Sequence, residues 1–196
     1  MVRANKDGQI RIMIPMVTTR DEILYIKGLL EEICQSEQIP MPKLGVMIET
    51  PASISLIPYM KGLVDFLSVG SNDLLQFLTA ADRNLFSLKH IYNPLHPSLI
   101  DSLETIRTNY RDLTGKSRLD LSICGEIASN PVMIPLLLAL GYRKLSIAPP
   151  QALAVKTMIS SLKLDFCRKL LKEVKKYPTI YEREEIIKAR LGEIKG

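Results

Sequence analysis

Five short apolar runs, each followed by a longer stretch at helical spacing, constrain this chain more than any other feature. They are Ile10–Met16 (IRIMIPM), Leu44–Glu49 (LGVMIE), Phe66–Gly70 (FLSVG), Leu119–Cys124 (LDLSIC) and Lys144–Ile147 (KLSI). Near-continuous apolar runs predict parallel strands covered on both faces. Helices are predicted between them, over Thr19–Cys34, Pro51–Lys61, Asp73–Ala81, Pro97–Arg111 and Pro131–Leu140. Thr18 and Thr19 supply caps ahead of the acidic pair Asp21–Glu22, and Thr50-Pro51 pairs a cap residue with a first-turn proline. Gly141 supplies a C-cap. Strand–helix–strand units repeated in this way join by right-handed crossovers.

After Pro149-Pro150 the pattern turns purely helical: Ala152–Leu162, Leu164–Tyr177 and Thr179–Glu193. The reading is therefore an α/β region over 1–150 and C-terminal helices over 151–196 that pack on it. Five parallel strands suit either an open doubly wound sheet or the last five strands of a (β/α)8 barrel. Both architectures place their sites at the strand C-termini, and periodicity leaves the choice open.

Composition excludes several classes. The 196 residues suit one domain or part of a larger one, and 46% hydrophobic with 24% charged residues marks a folded chain. No apolar run reaches the roughly 18–20 residues of a membrane span, and MVRANKDGQI lacks a secretory apolar stretch. Three scattered cysteines, Cys34, Cys124 and Cys167, fit neither a disulfide framework nor a metal motif, which points to a reducing cytoplasm. The net charge of +5 sits mostly in the tail, where residues 160–196 hold 10 Lys+Arg against 6 Asp+Glu. With 6% aromatics and no basic–aromatic interleaving, this is a solvated helix face and no nucleic-acid surface.

Three strand ends carry polar residues with a chemical use. Glu49 closes an apolar strand and either faces a site at the mouth of the sheet or caps the helix starting at Pro51. Ser71, Asn72 and Asp73 follow Gly70 and open a helix, where any of them can serve as an N-cap. Alternatively Asp73 and Glu49, on neighbouring strand ends, suit Mg²⁺, which is held by one or two carboxylates plus phosphate oxygens and water. Asn72 would then donate to a phosphate. Arg83, in ADRN, either returns a guanidinium to the same anion or forms a surface ion pair. Cys124 ends a strand ahead of Gly125 and is either a small buried hydrophobe or a proton donor or nucleophile. His90 and His96 lack metal-ligand spacing and read as structural, with His90 at the rim of a site.

Taken together, IRIMIPMV, GVMIETPAS, FLSVGSNDLLQFLTAADRN and ICGEIAS, in this order and spacing, resemble the phosphoenolpyruvate-binding domain of the enzyme I family. These are the phosphoenolpyruvate–protein phosphotransferases of the bacterial sugar phosphotransferase system. Pyruvate phosphate dikinase and phosphoenolpyruvate synthase share the superfamily pattern, and a fragment of either is the alternative within catalysis. The ADRN ending and the short ICGEIAS look more like enzyme I. The resemblance implies a (β/α)8 barrel of the phosphoenolpyruvate type, with Mg²⁺ on Glu49 and Asp73 and phosphate contacts from Asn72 and Arg83. It also implies Cys124 as the group exchanging a proton with the methylene carbon of the pyruvate enolate. Phosphoenolpyruvate then phosphorylates a histidine on another domain, and through it HPr, releasing pyruvate.

Two departures are small: Gly70-Ser71-Asn72-Asp73 replaces the usual Gly-Thr-Asn-Asp, and SIAPPQ follows the last strand. A larger one is that the phosphohistidine domain, the HPr-docking domain and the first three barrel strands, with two further phosphate-binding arginines, have no counterpart here. The start resembles the interior of the family's sequence, as in a truncated record or a separately encoded half. A half-barrel alone is expected to be inactive. A non-catalytic binding or dimerisation module is the remaining alternative, and the family's habit of dimerising through this region implies a homodimer.

Overall fold

A computed structural model describes residues 2–114 and 120–195 of the chain. Five strands, β1 (Arg11–Ile14), β2 (Lys43–Ile48), β3 (Phe66–Gly70), β4 (Leu121–Cys124) and β5 (Lys144–Leu145), form one parallel sheet in the order β1-β2-β3-β4-β5. A doubly wound sheet reverses its strand order at a switch point. This order never reverses, and successive right-handed crossovers then lay every helix on the same side. The sheet is an arc of a (β/α)8 barrel, as the resemblance implied.

Helices α1 (Arg20–Ser36), α2 (Pro51–Leu56), α3 (Ser71–Thr79), α4 (Pro97–Thr114) and α5 (Ile134–Leu140) follow strands β1 to β4. Thr19 caps α1 in a full capping box with Glu22, Thr50 caps α2, and Gly141 ends α5 at φ 96°. Beyond β5 come α6 (Ala152–Ser161), α7 (Leu164–Val174) and α8 (Ile180–Lys195).

Several boundaries differ from the sequence reading. Strand β1 stops at Ile14, because Pro15 lacks an N–H to continue the ladder and Met16 turns to φ 53°. The helix expected over Pro51–Lys61 tightens into a 3₁₀ turn at Ile57–Met60, which contains Pro58. Helix α3 begins two residues early, at Ser71. Helix α5 begins three residues after Pro131, because the Asn130 carbonyl and carboxamide hold the intervening turn. Leu119, expected to open the fourth strand, lies outside the described residues.

The register sorts the strands into two unlike faces. Ile12, Ile14, Leu44, Val46, Ile48, Leu67, Val69, Leu121, Ile123 and Leu145 share one face. All of them but Ile12 and Leu44 join a single apolar core with Ile23 of α1, Leu99, Leu103 and Ile106 of α4, and Leu136 and Leu137 of α5. Leu170, Leu171 and Val174 of α7 and Ile187 of α8 extend the same core. Each fully buried aliphatic side chain contributes about 1.5–3 kcal/mol. Arg183 fastens α8 to the rest by donating to the carbonyls of Tyr177 at 2.8 Å and Leu95 at 3.2 Å.

The other face carries Arg11, Met13, Met47, Phe66, Ser68, Ser122, Cys124 and Lys144. The expected cover on both faces is met at the central strand β3, which is buried throughout, and fails at the first strand, where Met13 remains 36% exposed on this second face. This is the face a barrel turns inward. At its lower end the Arg11 guanidinium stacks 3.8 Å from the Phe66 ring centroid and pairs with Asp120 at 2.9 Å, and Lys144 pairs with the same carboxylate. Strands β1 and β4 stand three spacings apart, roughly 14 Å in a flat sheet, so this cluster fits a sheet curled with the polar face inward.

Phe66 can occupy that layer because its neighbour in the register, Gly45, has no side chain; a Cβ there would collide with the Phe66 ring. Gly45→Ala is expected to lower stability by about 1–3 kcal/mol through overpacking. Denaturant unfolding measures this, and an unchanged midpoint would mean that the Phe66–Arg11 layer is not fixed.

Candidate functional site

The C-terminal ends of β2, β3 and β4 bring the candidate residues into one row. Gly70 pairs with Cys124, and Ile48 with Val69, so Glu49 stands beside Gly70 and Gly70 beside Cys124. The missing side chain of Gly70 makes room for the carboxylate: a Cβ there would lie 2.5 Å from Glu49 Oε2 and 2.9 Å from Met47 Sδ. Glu49 is only 3% exposed and accepts the Met16 N–H on Oε1 at 2.8 Å. The left-handed turn at Met16, a conformation that costs a non-glycine residue roughly 1–2 kcal/mol, lies where that N–H is donated.

Thr50 performs the capping that Glu49 was a candidate for. Its hydroxyl accepts the Ser53 N–H at 3.1 Å and donates to the Val17 carbonyl at 2.7 Å. Burial pushes the Glu49 carboxyl above the ordinary carboxylate range; the Met16 N–H opposes this, and the charge of Asp73 adds to it.

Ser71, Asn72 and Asp73 occupy the first turn of α3, and none caps it, since Gly70 holds the cap position without a side-chain bond. Ser71 instead donates to the Cys124 carbonyl at 2.5 Å, and the Asn72 carboxamide oxygen accepts the Glu126 N–H at 3.1 Å. Both bonds tie α3 to the turn after β4, and they require Gly125. At its φ of 97°, a Cβ would collide with Ser71 Oγ and sit 2.7 Å from Asn72 Oδ1.

Arg83 does form an ion pair, and its partner is another candidate: Nη1 lies 3.2 Å from Asp73 Oδ1. Side chains 40% and 36% exposed gain little stability from such a pair, so it anchors weakly. Tyr92 braces the same corner, donating to the Asn72 carbonyl at 3.1 Å.

Cys124 is half-buried, unlike the fully buried Cys34 and Cys167. Its thiol donates to the Val69 carbonyl, 3.3 Å away. Burial pushes the thiol above its ordinary pKa; the nearby Ser68 hydroxyl acts the other way, and the charges of Glu49 and Asp73 push it up again. A thiol so placed stays protonated near neutral pH, which suits a proton donor better than a nucleophile.

Two open clefts of about 690 Å³ each flank Asn72 and Glu126. One is lined by Arg83, Lys89 and Tyr92, the other by Gly125, Ser129 and Ser146. Lys89 lines the cleft beside Arg83, while its neighbour His90 is exposed. His96 serves α4, its Nδ1 2.7 Å from Ser98 Oγ.

Sequence reasoning missed Met16, Ser68, Lys89, Tyr92 and Glu126. Of these only Ser68, a polar residue inside FLSVG, carried a signal. Among the described residues no three His, Cys, Asp or Glu side chains gather as an all-protein metal cage. None of the helices there is long and apolar enough to cross a membrane.

Residues 1–164 match the family model described as PEP-utilising enzyme, PEP-binding domain. A Salmonella typhimurium protein named "Phosphoenolpyruvate-dependent phosphotransferase system" is 36% identical over 166 residues, which is 81% of this chain and 22% of that one. The "Phosphoenolpyruvate-protein phosphotransferase" of Mycoplasma pneumoniae is 34% identical over 193 residues, 95% of this chain and 32% of that one. The fold recurs in a solved citrate lyase from Burkholderia xenovorans, with a TM-score of 0.58 at 14% identity, covering 93% of this chain and 63% of the other. The chain belongs to the PEP-utilising enzyme family and holds its PEP-binding domain. It spans between 20% and 32% of the length of the curated relatives described as phosphotransferases.

The buried Glu49 yields a stability prediction. Its folded pKa lies above its unfolded value, so ionisation opposes folding as pH rises through that window. Glu49→Gln, which keeps an acceptor for the Met16 N–H, is expected to raise Tm at neutral pH in chelator-treated buffer. The gain should shrink as pH falls into the ordinary carboxylate range. Thermal unfolding at two pH values measures this, and a lower Tm at neutral pH would contradict it.

Proposed function

We propose that this chain supplies the metal-, phosphate- and proton-handling end of a phosphoenolpyruvate site in a phosphoenolpyruvate–protein phosphotransferase. The observation that carries the reading is the row Glu49–Gly70–Cys124, with Asp73 and Arg83 beside it at the strand C-termini. Two carboxylates whose charges oppose one another fit a divalent cation, which relieves the repulsion. Two protein carboxylates leave room for the substrate oxygens and water that Mg²⁺ retains. Glu49 and Asp73 would hold the ion, which when bound supplies charge neutralisation for phosphoryl transfer.

Arg83, released from its weak pair with Asp73, turns its guanidinium to the phosphate, and Asn72 adds a polar contact. The phosphoryl group leaves the enol oxygen for a histidine nitrogen: the P–O bond breaks, an N–P bond forms, and an enolate remains. Cys124 gives its proton to the enolate methylene carbon, producing pyruvate and a thiolate that solvent reprotonates. The histidine lies on a domain outside this chain and passes its phosphoryl group to HPr. The phosphotransferase names of these relatives favour this reading over a dikinase or synthase. The three free cysteines suit a reducing cytoplasm, and the C-terminal helices suit pairing into a homodimer.

This chain alone is expected to release no pyruvate from phosphoenolpyruvate and Mg²⁺, since the arc lacks the strands that close its inner face. Pyruvate release by the isolated chain would contradict that. In a completed barrel, Asp73→Ala or Arg83→Ala is expected to cut turnover by about 10²–10³-fold. Steady-state pyruvate assays read this, and full activity in both variants would overturn the site assignment.

A further inference from the structure

Asn72 is gripped by two hydrogen bonds that together decide which of its atoms a ligand meets. A backbone N–H can only donate, so the carboxamide atom that faces the Glu126 N–H at 3.1 Å is the oxygen. The amide nitrogen is thereby turned away from Glu126, and its two N–H donors have no partner among the described residues. Asn72 lines both open clefts, so those donors have the clefts to address. The second bond fixes the backbone beneath this side chain. Tyr92, in the segment between α3 and α4, donates its hydroxyl to the Asn72 carbonyl at 3.1 Å. Residue 72 is thus held by its side chain to the turn after β4 and by its backbone to the segment ahead of α4. The Tyr92 ring packs against the core, a task that Phe would perform equally well. The hydroxyl is what packing does not explain, and it belongs to a residue that lines the cleft shared by Arg83 and Lys89.

We infer that Tyr92 is a positioning residue for Asn72, which together with the Glu126 amide turns the Asn72 N–H donors toward a phosphate oxygen of the substrate. The inference rests on the reading of Asn72 as a phosphate contact. Its logic is one of sign. The last torsion of an asparagine is broad and roughly two-fold, so an unrestrained carboxamide offers its oxygen as readily as its nitrogen. Nitrogen toward a phosphate attracts, and oxygen toward it repels. Arg83 and Lys89 bring positive charge to the cleft, but a cation attracts an anion from any side, whereas a fixed N–H selects one oxygen. Held in advance, that donor costs no reorganisation when the substrate arrives. Burial pushes the Tyr92 hydroxyl above its ordinary pKa, so it keeps the proton it donates.

Tyr92→Phe isolates the hydroxyl, because the ring keeps its packing. In the nitrogen-labelled full chain, the Asn72 side-chain amide pair is assigned by its loss in Asn72→Ala. Tyr92→Phe should move that pair toward the shifts of a free carboxamide while the backbone amides of α4 stay in place. In the complete enzyme, Tyr92→Phe is expected to lower kcat/KM for phosphoenolpyruvate by about three- to tenfold, the worth of one neutral hydrogen bond. A residue acting through Asn72 loses its effect once that side chain is gone, so Tyr92→Phe should add nothing on an Asn72→Ala background. An amide pair indifferent to Tyr92→Phe overturns the inference, and so does an equal loss of kcat/KM on the Asn72→Ala background, which would mean that the hydroxyl acts elsewhere. Failure of the underlying reading looks different: Asn72→Ala alone would then leave kcat/KM at its original value.

Discussion

A buried carboxylate beside a glycine organises this molecule. Glu49 points into the space that a side chain on Gly70 would fill, and it keeps one hydrogen bond, from Met16. Burying an ionisable group with so little compensation is costly, and the surrounding structure shows how it is tolerated. The aliphatic face of the same strands sits in a core continuous from α1 to α8, and it fixes the register that brings Glu49, Gly70 and Cys124 into line. A one-residue slip would turn the row into the core.

The remaining site geometry follows from small residues at close approaches. Gly125 admits Ser71 and Asn72 to the turn after β4, so the start of α3 is locked to the end of the next strand. Polar groups expected to cap α3 are thereby committed to neighbouring elements or left facing the clefts. The Arg83 guanidinium is held by an exposed pair with Asp73, so it exchanges partners at little cost. Stability lies on one face of the sheet and chemistry on the other, and the arrangement of α/β enzymes at strand C-termini explains why the two do not compete.

Much of this was legible in the chain itself. Apolar runs located all five strands, and Thr19, Thr50 and Gly141 marked helix ends because capping is local chemistry. The row of candidate residues at strand ends was visible for the same reason. What the chain hid were features set by tertiary contact. Nothing about Pro15-Met16 signals a left-handed turn that delivers an N–H to a carboxylate 33 residues away. Tyr92 sits in a loop of unremarkable composition, yet braces Asn72. The difference between the two sheet faces was present in FLSVG and LSIC as alternation, but the length of the apolar runs masked it. The sequential strand order, which settles an arc of a barrel against a doubly wound sheet, is a property of pairing that periodicity does not encode.

The most direct measurement is a map of backbone amide shifts in the labelled full chain on titration with phosphoenolpyruvate and magnesium. The account predicts shifts gathered at Met16, Asn72, Asp73, Gly125 and Glu126, dependent on magnesium and lost in Asp73→Ala. Shifts that cluster away from these strand ends, for instance along the apolar groove lined by Met158, Leu162 and Leu191, would contradict it.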